Sequence, residues 1–145
     1  MNHRKNLSGL EYMRKIVSGE LPHPSFATAV PMVFRKAAHG YIVIEATATG
    51  AHLNPLGGTH GGFVAAVLDE ATGSAVHSAL EVGEAPATVE LNVKMMRPLP
   101  QQTPLVAEGR LINLSRNLGV AEGSIRDAEG KLYAHATCTC LIVRE

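Results

Sequence analysis

Apolar positions along the chain recur with two different periods, and the changes between them mark its elements. Leu10, Met13, Ile16 and Val17 recur at helical spacing near the start. Ser8 followed by Glu11 has the form of a capping box, and Gly19 can end the helix. The pattern predicts a short amphipathic helix over about residues 8–18. Leu21-Pro22-His23-Pro24-Ser25 reads as a loop. Two strand-like runs follow, about Ala29 to Lys36 and Tyr41 to Ala48, with a turn at Ala38-His39-Gly40. A Gly/Pro/Asn loop from Gly50 to Gly62 then leads into the most apolar helix, about Gly61 to Leu80. Four further strands are expected: Ala87 to Met96, Thr103 to Ser115, Leu118 to Asp127, and Lys131 to Val143. Ala128-Glu129-Gly130 makes a hairpin turn before the last.

This order poses a packing problem. A helix apolar on most sides must be surrounded. Successive strands with short connections favour an antiparallel sheet. A curved antiparallel sheet wrapped around one long helix, an α+β arrangement, satisfies both.

The length of 145 residues predicts one domain spanning 1–145. Thirteen basic and thirteen acidic residues cancel. No broad field is left to draw in a nucleic-acid backbone or an anionic membrane. No apolar run has the length of a membrane span, and the first residues lack the apolar core of a secretory signal. A cytoplasmic location is expected. Cys138 and Cys140 are the two cysteines. In a strand they share one face, as buried thiols of a reducing compartment rather than a C-x-x-C motif. The histidines are scattered, so neither a metal site nor a cofactor is expected.

The informative segment runs from His52 to Asp69. It holds a glycine pair, Gly61-Gly62, at a helix start and a carboxylate, Asp69, in the middle of the same helix. A helix start exposes unpaired N–H groups with partial positive charge, and glycine lets a substrate approach them. The Gly61 N–H can therefore stabilise an oxyanion. Asp69 is flanked by Val67, Leu68 and Ala71, with no Lys or Arg three or four residues away. A carboxylate so placed is costly unless it is used. Glu70 points about 100° away and reads as the solvated acid. Gly61 and Asp69 lie about 12 Å apart along one helix axis. That is too far for both to reach one carbonyl group. A two-fold dimer, with Gly61 of one subunit facing Asp69 of the other, closes the gap.

Asn54, His60-Gly61-Gly62 and Asp69 at this spacing resemble the PaaI-type thioesterases of the hot-dog superfamily. Thr88 in the strand Ala87 to Val93, Arg97-Pro98, and Arg126 to Ala136 extend the resemblance over about residues 20–143. It implies a five- or six-stranded antiparallel sheet around the central helix. It also implies a homodimer paired edge to edge, and dimers paired again into a homotetramer. The implied reaction is hydrolysis of an acyl-CoA to free acid and CoA. Asp69 would act as nucleophile or general base and the Gly61 amide would polarise the carbonyl. Asn54 and His60 would orient substrate or water, and Thr88 would help hold the water. Gly62 and Phe63 would line the substrate pocket, with Lys94, Arg97 and Arg116 as candidates to meet the CoA phosphates. Two alternatives stand beside this reading: a hot-dog hydroxyacyl dehydratase, whose His-Phe-Pro pattern is missing here, and a non-catalytic acyl-CoA-binding protein.

Overall fold

The computed structural model of the chain describes residues 6–145. It contains two α-helices, α1 (Gly9–Ser18) and α2 (Gly61–His77). Six strands accompany them: β1 (Met32–Ala38), β2 (Tyr41–Ala46), β3 (Glu84–Met95), β4 (Leu105–Leu114), β5 (Leu118–Arg126) and β6 (Leu132–Arg144). The strands form one antiparallel sheet in the order β1-β2-β4-β5-β6-β3.

The capping box closes α1 as its sequence requires. Ser8 accepts from the Glu11 N–H, and Glu11 returns the bond to the Ser8 N–H at 2.8 Å. Gly19 ends the helix in the left-handed region at φ 82°. Met13 and Ile16 are buried beneath it.

α2 is the core. Phe63, Val64, Val67, Leu68, Ala71, Ala75 and Val76 are all buried, on more than one side of the helix. The inward positions of β5 and β6, among them Ala121, Ile125, Ala134, Ala136, Cys138 and Cys140, close over it. The sheet comes close enough that a Cβ at Gly109 would stand 2.0 Å from the Ala71 carbonyl oxygen. Only glycine permits that approach.

Several boundaries differ from the sequence expectation. Residues Ser25–Thr28 form a 3-10 turn, so β1 starts at Met32 rather than Ala29. α2 stops at His77, three residues short of Leu80. β3 begins at Glu84 and runs through Pro86. Proline is admitted there because β3 is an edge strand, bonded on one side to β6. β3 is also 12 residues long and bulged between Thr88 and Glu90, with Val89 61% and Met95 51% exposed. A long edge exposing apolar side chains is a template for another strand. Among the described residues no helix is long and apolar enough to cross a membrane.

Candidate active site

The loop before α2 is built by its own polar groups. Asn54 Oδ1 accepts from the N–H groups of Leu56, at 2.9 Å, and Gly58, at 3.2 Å. The Asn54 N–H donates to the Gly58 carbonyl at 2.8 Å. Thr59 Oγ1 donates to the Leu99 carbonyl at 2.8 Å, tying the loop to the segment after β3. Asn54 Nδ2 has no acceptor among the described residues, so it remains available to a ligand.

His60 is the N-cap of α2. Its Nδ1 accepts from the Gly62 N–H at 2.8 Å. With Nδ1 accepting, the neutral ring carries its proton on Nε2. The Gly62 and Phe63 N–H groups are thus satisfied, the second by the His60 carbonyl at 3.0 Å. The Gly61 N–H has no acceptor among the described residues. It stands at the positive end of α2, half-exposed.

Two turns further along, Asp69 is half-buried on the flank of α2 that faces β3. Thr88 Oγ1 donates to Asp69 Oδ1 at 2.9 Å. No Lys or Arg pairs with Asp69 among the described residues. Behind Thr88 lie the Sγ atoms of Cys140 at 3.8 Å and Cys138 at 3.9 Å. Both cysteines are free and buried, 3.5 Å apart. Their mutual hydrogen bond, then burial, hold the Cys140 thiol well above its usual range.

The donor end and the acid open into separate depressions of the chain. Asn54, Gly61, Met95 and Arg97 line one of about 520 Å³. Asp69, Thr88 and Gly73 line another of about 170 Å³, walled by Met13 and Ile16 of α1. Arg97 thus joins Gly61, its Nε donating to the Leu132 carbonyl at 3.1 Å. Other expected substrate contacts lie elsewhere. Phe63 is only 5% exposed and its ring packs on His52, 4.8 Å between centroids. It lines a third, apolar depression with Phe26, His60 and Gly62. Lys94 pairs with His135 in the ladder, on the sheet face opposite Thr88 and α2. Arg116 stands in the β4–β5 hairpin, near the start of β3 rather than its Met95 end. Met95 and the α1 residues were not anticipated. The alternation of Leu91, Val93 and Met95 along β3 would have pointed to the former. Nothing local in α1 pointed to the latter, because its contact with the Asp69 depression is tertiary. Among the described residues, no three His, Cys, Asp or Glu side chains converge as a metal site.

A six-stranded antiparallel sheet around a long apolar helix, with Gly-Gly at the helix start and an acid at its middle, defines a hot-dog protein of the thioester-hydrolase class. The family model of the thioesterase superfamily matches residues 56–134. A crystal structure from Ralstonia eutropha JMP134, described as a candidate thioesterase related to phenylacetic acid degradation, is 35% identical. It covers 90% of this chain and 98% of that one at a TM-score of 0.80. A candidate esterase of Halobacterium salinarum is 39% identical over 71 residues, so the matched part spans about half of that protein, 46%. A hypothetical thioesterase from Streptococcus pneumoniae, solved with coenzyme A, shares the fold at a TM-score of 0.72. It is 22% identical and covers 79% of this chain and 90% of that one. The chain belongs to the thioesterase superfamily.

Proposed function

We propose that this thioesterase hydrolyses acyl-CoA at sites shared between two subunits. Asp69 supplies the attacking oxygen, either its own or that of a water it deprotonates. The partner's Gly61 N–H donates to the carbonyl oxygen and stabilises the charge growing there. One observation carries the reading: Thr88 holds an otherwise unpaired, half-buried carboxylate at 2.9 Å, beside an edge strand whose outer side is unpaired among the described residues.

The edge strand also supplies a register. A Cβ on Gly61 would meet Met95, and Thr88 binds Asp69. Two copies of β3 pairing antiparallel about Asn92, with Val89 bulged out as it is against β6, set Met95 opposite the partner's Thr88. Gly61 then faces the partner's Asp69, and the 12 Å gap within one helix, about eight rises of 1.5 Å, is closed. The same pairing raises Arg116. Leu118 pairs with Leu141, and Leu141 with Ala87, so the hairpin lies near the level of Ala85. That level faces the partner's Pro98, next to its Arg97. Arg97 and Arg116 from opposite subunits thus converge on one rim, suited to the CoA phosphates. Lys94, on the outer face, takes no part.

Hydrolysis consumes water and a thioester and releases an acid and a thiol. No metal or redox group is needed. Asn54 Nδ2 and His60 Nε2–H serve as donors that orient substrate or water. We extend the assembly to a tetramer of paired dimers. The free thiols support our placement of the protein in the cytoplasm.

Asp69→Asn tests the reading. The substitution keeps size and Thr88 contact but removes the base and nucleophile. Thiol release from a panel of acyl-CoAs should fall about a thousandfold or more. Light scattering and circular dichroism should match the parent. Turnover within a few-fold of the parent would refute the assignment. Thiol release in the parent also separates hydrolysis from dehydration and from binding alone.

A further inference from the structure

We propose that Gly73 sets the acyl specificity of this site: its missing side chain is the space in which a compact acyl group lies beside Asp69. This rests on the thioesterase reading above.

Gly73 is in the interior of α2, one turn after Asp69 and on the same face. Apart from proline, glycine is the worst residue for a helix interior. Where the fold demands it, the reason is visible, as at Gly109 against Ala71. At Gly73 there is no such reason. A Cβ there would meet only Thr88 Oγ1, at 3.8 Å, an ordinary contact. Its backbone is not in the left-handed region either. Folding would be served better by alanine. What the glycine leaves open is the depression of about 170 Å³ that also holds Asp69 and Thr88.

Charge decides which arm of the thioester enters that space. The depression is lined by two carboxylates, Asp69 and Glu70, by the His77 imidazole, and by no Lys or Arg. A CoA arm carrying phosphates is repelled there. It runs instead past Gly61, where Arg97 lines the larger depression. The acyl arm takes the Asp69 side, against Pro86 and the edges of the nearly buried Met13 and Ile16. Size follows from volume. An apolar cavity of about 150 Å³ holds one benzene molecule. A depression of about 170 Å³, with Met13 and Ile16 of α1 forming one wall, takes a short acyl group more readily than a long one.

The test compares kcat/KM for acetyl-, hexanoyl- and dodecanoyl-CoA in the parent, Gly73→Ala and Gly73→Val. The parent should favour hexanoyl over dodecanoyl by about tenfold or more. The hexanoyl-to-acetyl ratio should fall about tenfold in Gly73→Ala and further in Gly73→Val. Gly73→Ala should melt about 3 °C higher than the parent, which shows that the fold is intact. A hexanoyl-to-acetyl ratio in Gly73→Val within about twofold of the parent overturns the inference. Crystals soaked with the thioether hexyl-CoA give a readout independent of turnover. A hexyl chain beside Gly73 supports the inference. A chain in the apolar depression against Phe63, or no bound thioether, overturns it. If no thioester is hydrolysed, the thioesterase reading fails, and the soak still decides where the chain lies.

Discussion

A backbone N–H cannot be removed by changing a side chain, except by proline. Gly61 is the first residue of α2, the one helix position that favours proline. Its φ is already helical, and its N–H bonds to nothing among the described residues. The residue before proline must be extended, and His60 is, at φ −65° and ψ 136°. The added Cβ would approach Met95 Sδ to 3.0 Å, but Met95 is 51% exposed and can turn aside. Gly61→Pro should therefore fold and melt within about 2 °C of the parent. It deletes only the donor. One such donor is worth about 3–4 kcal/mol, so kcat should fall about 100- to 1000-fold with KM little changed. Gly61→Ala, which adds the same Cβ but keeps the N–H, should stay within about tenfold of the parent. Steady-state thiol release gives both constants. A proline variant as active as the alanine variant would refute the oxyanion role. The same variant tests the shared site. Refolding Gly61→Pro with Asp69→Asn in equal amounts makes half of the dimers mixed, each with one intact site. About a quarter of parental activity should return. No recovery would mean that donor and acid act within one subunit.

Two further predictions follow from the hydrogen bonds. His60→Ala removes the cap on the Gly62 N–H and should cost about 1 kcal/mol, seen as a melting temperature about 2–4 °C lower. His60→Asn should restore the melting temperature but not the turnover, since it caps without the imidazole Nε2–H; full recovery of activity would reduce His60 to a cap. The Asp127 carboxyl is held below the usual range, chiefly by the Lys131 N–H and then by Tyr133 and the Glu129 N–H. Because its folded pKa is depressed, its stabilisation is present above the unfolded value near 4 and is lost as pH falls through the folded value. Asp127→Asn should therefore melt below the parent at pH 7, with the gap closing at the acid end; a gap independent of pH would refute this.

The elements were legible because their periods differ. The α1 capping box, the apolar α2 and the alternation along β2, β5 and β6 each report a local geometry that the fold keeps. Misjudged boundaries fell where tertiary contact decides. Pro86 argues against a strand in sequence, yet an edge strand tolerates it. Ala29 reads as strand, but the preceding residues turn as a 3-10 helix and delay β1. The Asn54/His60-Gly61/Asp69 spacing pointed to a candidate site on α2 and the loop before it, and the pairing of Thr88 with Asp69 follows from β3 lying along that helix. Which cation faces the site was not legible. Whether Lys94 points inward depends on strand parity, and the bulge between Thr88 and Glu90 shifts that parity by one residue.

The departures from local preference fall together. Asp69 is an acid in an apolar helix, and Gly73 weakens that helix without a packing reason. His60 occupies a cap that Ser, Asp or Asn would fill better. β3 leaves Val89 and Met95 exposed on an edge that could have been shortened or charged. Elsewhere the chain follows local preference: α1 carries a complete capping box, and Gly109 and Gly123 are explained by their contact with α2. Sequences that fold well are locally consistent, and violations collect where function demands them. Four violations on adjoining surfaces of α2 and β3 therefore support our proposal that this seam is the working part of the molecule. The exposed strand edge belongs to the set for the same reason as the acid: in the dimer we propose, a second copy completes both.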